Sequence, residues 1–172
     1  MNYFELFGLP EQFQLDGQAL AAAYRQLQSQ FHPDKFASRP ERERLQAVQQ
    51  AARINDAFST LKNPLGRAEY LLSLQGVDIR GEQQTLKDPM FLMQQMEWRE
   101  QLEEISAAGD VFAAIMAFER ELKQASDDYY RELEQRLDAG HWEQAADTVR
   151  KLKFMVKLHA ELERVEDAQQ EF

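Results

Sequence analysis

Apolar residues recur at three- and four-residue spacing along almost all of this 172-residue chain. No stretch alternates with the two-residue period of a strand, so the pattern predicts an all-α protein. Tyr3, Phe4, Leu6 and Phe7 fit a short opening helix that Gly8 and Pro10 end. Asp16 is a good N-cap for a second helix, in which Leu20, Tyr24, Leu27 and Phe31 form one stripe. Beyond it, Ala47, Ala51, Ile54, Phe58 and Leu61 form a matching stripe on a third helix, with Pro40 in its first turn. Two such stripes bury each other best as an antiparallel helical hairpin. Asn63 as cap and Pro64 at the first helical position start another helix, carrying Leu65, Ala68, Leu71 and Leu72.

Between Ser73 and Asp88 the periodicity lapses around Gly76 and Gly81, which predicts a linker. Three longer helices follow. Asp88-Pro89 opens the first, Gly109-Asp110 separates it from the second, and Asp138-Ala139-Gly140 breaks the second before a third that starts near Trp142. On this last helix Trp142, Ala145, Val149, Leu152 and Val156 make the evident stripe. The expected organisation is a domain over residues 1–75, a linker over 76–88, and a three-helix bundle over 89–172.

The helix after Asp88 has an unusual second face. At about 100° per residue, Phe91, Trp98, Leu102 and Ile105 share roughly a 60° arc and form the core side. Leu92, Met93, Met96, Glu97, Glu100 and Glu104 spread over about 140° on the other side. Three large apolar side chains mixed with carboxylates, pointing away from the core, fit a docking patch, since exposed apolar clusters mark interaction sites and Met adapts to an irregular partner. The alternative is that they pack on the N-terminal half or on the linker.

Charge sharpens the contrast between the halves. Of 20 basic and 30 acidic residues, 8 and 8 lie through Gln75, leaving 12 and 22 after it, so the whole net charge of −10 belongs to the second half. That balance would repel nucleic-acid phosphates rather than neutralise them. The basic run Arg150, Lys151, Lys153, Lys157 fits a solvated helix face among acids better than a lipid-binding strip. The chain has no cysteine, which excludes disulfides and thiolate chemistry and fits a reducing compartment. No apolar run is long enough for a bilayer and no signal-peptide pattern opens the chain, so a soluble, cytoplasmic protein is expected, without a membrane partner. Catalysis finds no support either. No Glu-x-x-His pair, HExxH motif, Gly-rich phosphate loop or Ser/His/Asp arrangement occurs, so no enzyme, metal site or cofactor is expected.

What remains is the stretch between the second and third helices, Gln30-Phe31-His32-Pro33-Asp34-Lys35-Phe36. Pro33 forces His32 out of the α region and ends the helix, leaving His32 and Asp34 on a turn. By itself the tripeptide admits two readings: a contact loop on a rigid scaffold, or a histidine that complements the helix C-terminus beside a self-bonding aspartate. Its flanks are Tyr24-Arg25-Gln26-Leu27-Gln28-Ser29 before it and, later, Pro64-Leu65-Gly66-Arg67-Ala68-Glu69-Tyr70. In that order these resemble a J domain, the module with which DnaJ-type co-chaperones engage an ATP-driven DnaK-type chaperone. The resemblance implies that His32, Pro33, Asp34, Lys35 and Arg25 contact the chaperone, with Asp34 meeting a partner arginine. It departs from the pattern in one respect: Arg25 is the only basic residue of a helix that is usually basic.

With Phe91-Leu92-Met93-Gln94-Gln95-Met96-Glu97 and Asp147-Thr148-Val149-Arg150-Lys151-Leu152 added, the whole chain is similar to the HscB family, J proteins specialised for bacterial iron-sulfur cluster assembly. The resemblance implies a co-chaperone that stimulates the DnaK-type ATPase HscA and delivers to it the cluster scaffold IscU. It places scaffold binding on Leu92, Met93, Met96, Glu97, Glu100, Glu104 and Phe154. Six of these are the residues that the helical wheel sets apart. Phe154 lies off the main stripe of its own helix, near a second one made by Leu158 and Val165. The alternative function is a general J-domain co-chaperone or a helical adaptor for a different client.

Overall fold

A computed structural model describes residues 1–79 and 88–170, and every regular element among them is helical. Residues 80–87, the centre of the expected linker, lie outside the described residues. The chain divides into two compact units, Met1–Asp78 and Ile79–Phe172.

The first unit contains α1 (Tyr3–Leu6), α2 (Gly17–Phe31), α3 (Glu41–Lys62) and α4 (Pro64–Leu74). Each start has the chemistry its sequence implies. The Asp16 carboxylate accepts from the amides of Gln18 and Ala19 at 2.9 and 3.2 Å, and Asn63 Oδ1 accepts from Leu65 N at 3.0 Å, satisfying donors that a helix N-terminus leaves free. Pro40 stands one residue earlier than expected, as the N-cap of α3, with extended backbone. The antiparallel hairpin is visible in its pairings. Tyr24 stacks on Phe58 at 4.0 Å and donates to Asn55 at 2.7 Å, whereas Phe31 at the far end of α2 shares a groove with Ala47 and Gln50.

Phe4, Leu20, Ile54, Ala57, Leu61, Ala68 and Leu72 are essentially fully buried in this unit. Tyr70 ties α4 to α1, stacking on Tyr3 at 4.5 Å while its hydroxyl accepts from Tyr3 N at 2.9 Å. Arg67 donates to the Leu61 carbonyl at 2.8 Å and lies over the Phe13 ring, and burial lowers its pKa. Gly66 permits the tight α3–α4 junction, since a Cβ there would stand 3.0 Å from the Thr60 carbonyl oxygen. The Pro-x-x-Arg-Ala-x-Tyr segment is therefore the fastening of the hairpin.

The second unit contains α5 (Pro89–Glu104), α6 (Val111–Asp138) and α7 (Trp142–Gln170). Asp88 and Asp110 cap α5 and α6 through bonds of 3.2 and 3.0 Å to Phe91 N and Ala113 N, and Gly140, at φ +75°, turns α6 into α7. The core joins Phe91 and Trp98 of α5, Ile105 just past its end, Ile115, Phe118 and Leu122 of α6, and Met155, Leu158 and Leu162 of α7. Val156 departs from the expected stripe. It is 53% exposed while its neighbour Met155 is 1% exposed, because α7 turns its side to both α5 and α6 and the buried face shifts by one position.

Candidate functional sites

At the hairpin tip, α2 ends where His32 adopts an extended conformation (φ −60°, ψ 130°), the geometry a following proline imposes. Pro33–Phe36 then form one turn of 3-10 helix rather than an open loop. The turn presents its polar groups: the His32 and Asp34 side chains are 51% and 91% exposed, and Lys35 and Arg25 are exposed as well. His32 Nδ1 accepts from the backbone amide of Asp34 at 3.2 Å. A neutral imidazole that accepts at Nδ1 carries its proton on Nε2. The Asp34 carboxylate lies 3.5 Å from the same Nδ1, but an ion pair there would need a proton where the amide already donates. Asp34 thus keeps its carboxylate open to an external cation. Lys35 reaches back to Ser29 at 3.3 Å.

The second site is the outer face of α5. From within, that helix is fixed at several points. Trp98 Nε1 and Gln101 Nε2 donate to the two carboxylate oxygens of Glu121 at 3.2 and 3.1 Å. At its start, Lys151 Nζ stands 3.1 Å from Asp88 and over the rings of Phe91 and Tyr129, with only 15% of its side chain exposed. The amide of Phe91 and then Lys151 hold the Asp88 carboxyl below its ordinary pKa. Lys151 is therefore a fastening of the bundle, not part of a solvated basic strip, and Arg150 beside it pairs with Asp147 at 2.5 Å.

On the opposite side of α5, Leu92, Met93 and Met96 are 52%, 60% and 65% exposed, and Glu97, Glu100 and Glu104 are all exposed around them. The six residues that the wheel grouped do share an outward face. Phe154 differs from them: its ring is half-buried, edge-on to Phe91 at 5.7 Å, stacked on Trp98 at 6.3 Å and covered by Arg99, which pairs with Glu161. It packs against the core side of α5. Met90, 78% exposed in the first turn of α5, extends the apolar surface. The same wheel that found Leu92 places Met90 beside Glu97, so its signal was present in the sequence.

Comparison with known proteins agrees with this arrangement. Residues 2–70 match the family model of the DnaJ domain, and residues 87–163 match the model described as the HSCB C-terminal oligomerisation domain. An all-helical protein that presents a His-Pro-Asp turn on such a domain is a J-domain co-chaperone. The "Co-chaperone protein HscB homolog" of Vibrio cholerae strain M66-2 is 58% identical over 97% of this chain and 98% of its own, and that of Vibrio vulnificus YJ016 is 57% identical over the same shares. The chain belongs to the HscB family of co-chaperones. Among solved structures, HscB from Vibrio cholerae superposes with a TM-score of 0.93 at 58% identity, covering 98% of this chain and 99% of that one. Human HscB gives 0.88 at 27% identity, covering 96% of this chain and 82% of that one.

Proposed function

We propose that this protein is a cytoplasmic adaptor that couples the iron-sulfur cluster scaffold IscU to ATP hydrolysis by the DnaK-type chaperone HscA. The single observation that carries the reading is the exposed apolar face of α5, with Leu92, Met93 and Met96 more than half open to solvent on a helix whose other side is locked into the bundle. A monomeric fold gains nothing from leaving three such side chains in water, and a partner surface would gain by covering them. Glu97, Glu100 and Glu104 would choose among partners by favouring a basic rim. Met90 and the braced ring of Phe154 would complete and support that surface.

In the first unit, His32, Pro33, Asp34, Lys35 and Arg25 would engage the chaperone. The exposed Asp34 carboxylate is suited to an arginine of the ATPase, and the exposed His32 imidazole is suited to an acceptor. Because both surfaces belong to one chain, binding the scaffold raises its effective concentration at the chaperone without any new chemistry. The test is the steady-state ATPase rate of HscA alone, with this protein, and with this protein plus IscU. His32→Gln should abolish the stimulation while calorimetric affinity for IscU stays at the wild-type value. Stimulation by the variant equal to wild type would overturn the assignment of the turn.

A further inference from the structure

Three of the six methionines in this chain fall within the seven residues 90–96, and the chain has no cysteine to compete for oxidant. Met90, Met93 and Met96 are 78%, 60% and 65% exposed, whereas Met155 in the bundle core is 1% exposed. A thioether is oxidised where reagent can reach its sulfur, so these three are open to attack, as are Met1 and Met116 away from this face at 78% and 60% exposed, while Met155 is shielded. Their position adds the consequence. Met93 and Met96 are one turn apart on the outward face with Leu92, at the centre of the acidic rim.

We infer that Met93 and Met96 are a reversible oxidation site that switches off docking to the α5 face; the inference rests on the docking reading above. A sulfur lone pair attacks one oxygen of a hydroperoxide or hydrogen peroxide and the O–O bond breaks. The thioether becomes a sulfoxide, losing two electrons, and the peroxide leaves as water or alcohol. The added oxygen turns a soft apolar contact into a strong acceptor that must be desolvated to bind. The carboxylates of Glu97, Glu100 and Glu104 offer that oxygen no donors. Return requires a dithiol reductant, which takes the oxygen as water and leaves as disulfide while the thioether is restored, the chemistry of methionine sulfoxide reductases. The fold itself is not altered, because none of the oxidised sulfurs is in the core.

The experiment treats the full chain with hydrogen peroxide, maps sulfoxide by peptide mass spectrometry over time, and measures IscU affinity by calorimetry before oxidation, after it, and after incubation with methionine sulfoxide reductases and dithiothreitol. The expected result is that Met93 and Met96 oxidise well before Met155. Affinity should fall about tenfold for each sulfoxide that docking would bury and recover on reduction. A Met90→Leu/Met93→Leu/Met96→Leu protein should keep its own starting affinity through the peroxide treatment. Oxidation of Met93 and Met96 no faster than Met155 would overturn the inference, and so would full oxidation with affinity unchanged. The docking reading is judged separately, with unoxidised protein, by alanine substitution in the same face. Loss of affinity there with no effect of peroxide would sink the oxidation site and leave the docking surface standing.

Discussion

Replacing Leu92, Met93 and Met96 together by Ala tests whether the outer face of α5 is a binding surface, and its magnitude follows from exposure. Burying a Leu or Met side chain fully is worth about 1.5–3 kcal/mol. With 52%, 60% and 65% of their surfaces exposed, more than half of that gain is still available to a partner. The three together offer about 4 kcal/mol, falling to about 2.5 kcal/mol once each has lost roughly 0.5 kcal/mol of rotamer freedom on docking. The triple variant should therefore bind IscU on the order of a hundredfold more weakly. Stability should hardly change, because exposed positions carry little of the fold and Ala is the best helix former. Both tryptophans of the chain, Trp98 and Trp142, lie in the second unit, so thermal melting followed by their fluorescence reports on that unit. The assay is a pair of calorimetric titrations alongside two melts. Affinity within about threefold of wild type, a difference of about 0.7 kcal/mol, would refute the reasoning. A melt lowered by many degrees would show instead that these side chains support the fold.

Two further outcomes separate fastening from contact. Phe154→Ala removes a half-buried ring from between Phe91 and Trp98, which should cost about 2 kcal/mol and lower Tm by on the order of 10 °C by tryptophan fluorescence; an unchanged melt would make Phe154 a surface contact. Asp88 titrates below its ordinary 3.8 because the Phe91 amide and Lys151 favour its charged form, so its contribution is fully present above pH 3.8 and is lost as pH falls through the lower, folded value. Asp88→Asn should accordingly flatten the acid limb of the tryptophan-monitored stability profile, and an acid limb identical to wild type would dismiss the clamp with Lys151.

Much of the molecule was legible from residue order because its local signals agree with one another. The caps Asp16, Asn63, Asp88 and Asp110 set the helix starts through bonds made within one turn of the chain, and such bonds need no tertiary partner. The extended His32 before Pro33 is equally local. The outward set on α5 was recoverable for a related reason: a helix with one buried stripe must carry its remaining side chains outside.

Other assignments depended on what packs against what. The helical period alone could not place Val156 outside and Met155 inside, since the choice depends on the angle at which α7 meets two neighbours. Nor could charge alone show that Lys151 is held over two rings against Asp88, or the helical period that Phe154 is stacked on Trp98. Residue order settled the helices, their caps, the polar turn and the two-faced α5, because those are properties of a few consecutive residues. Tertiary structure decided which basic and aromatic side chains brace the bundle and which stay free to meet a partner, because that depends on residues some sixty positions apart in the chain being brought within a few ångströms, as Asp88 and Lys151 are at 3.1 Å.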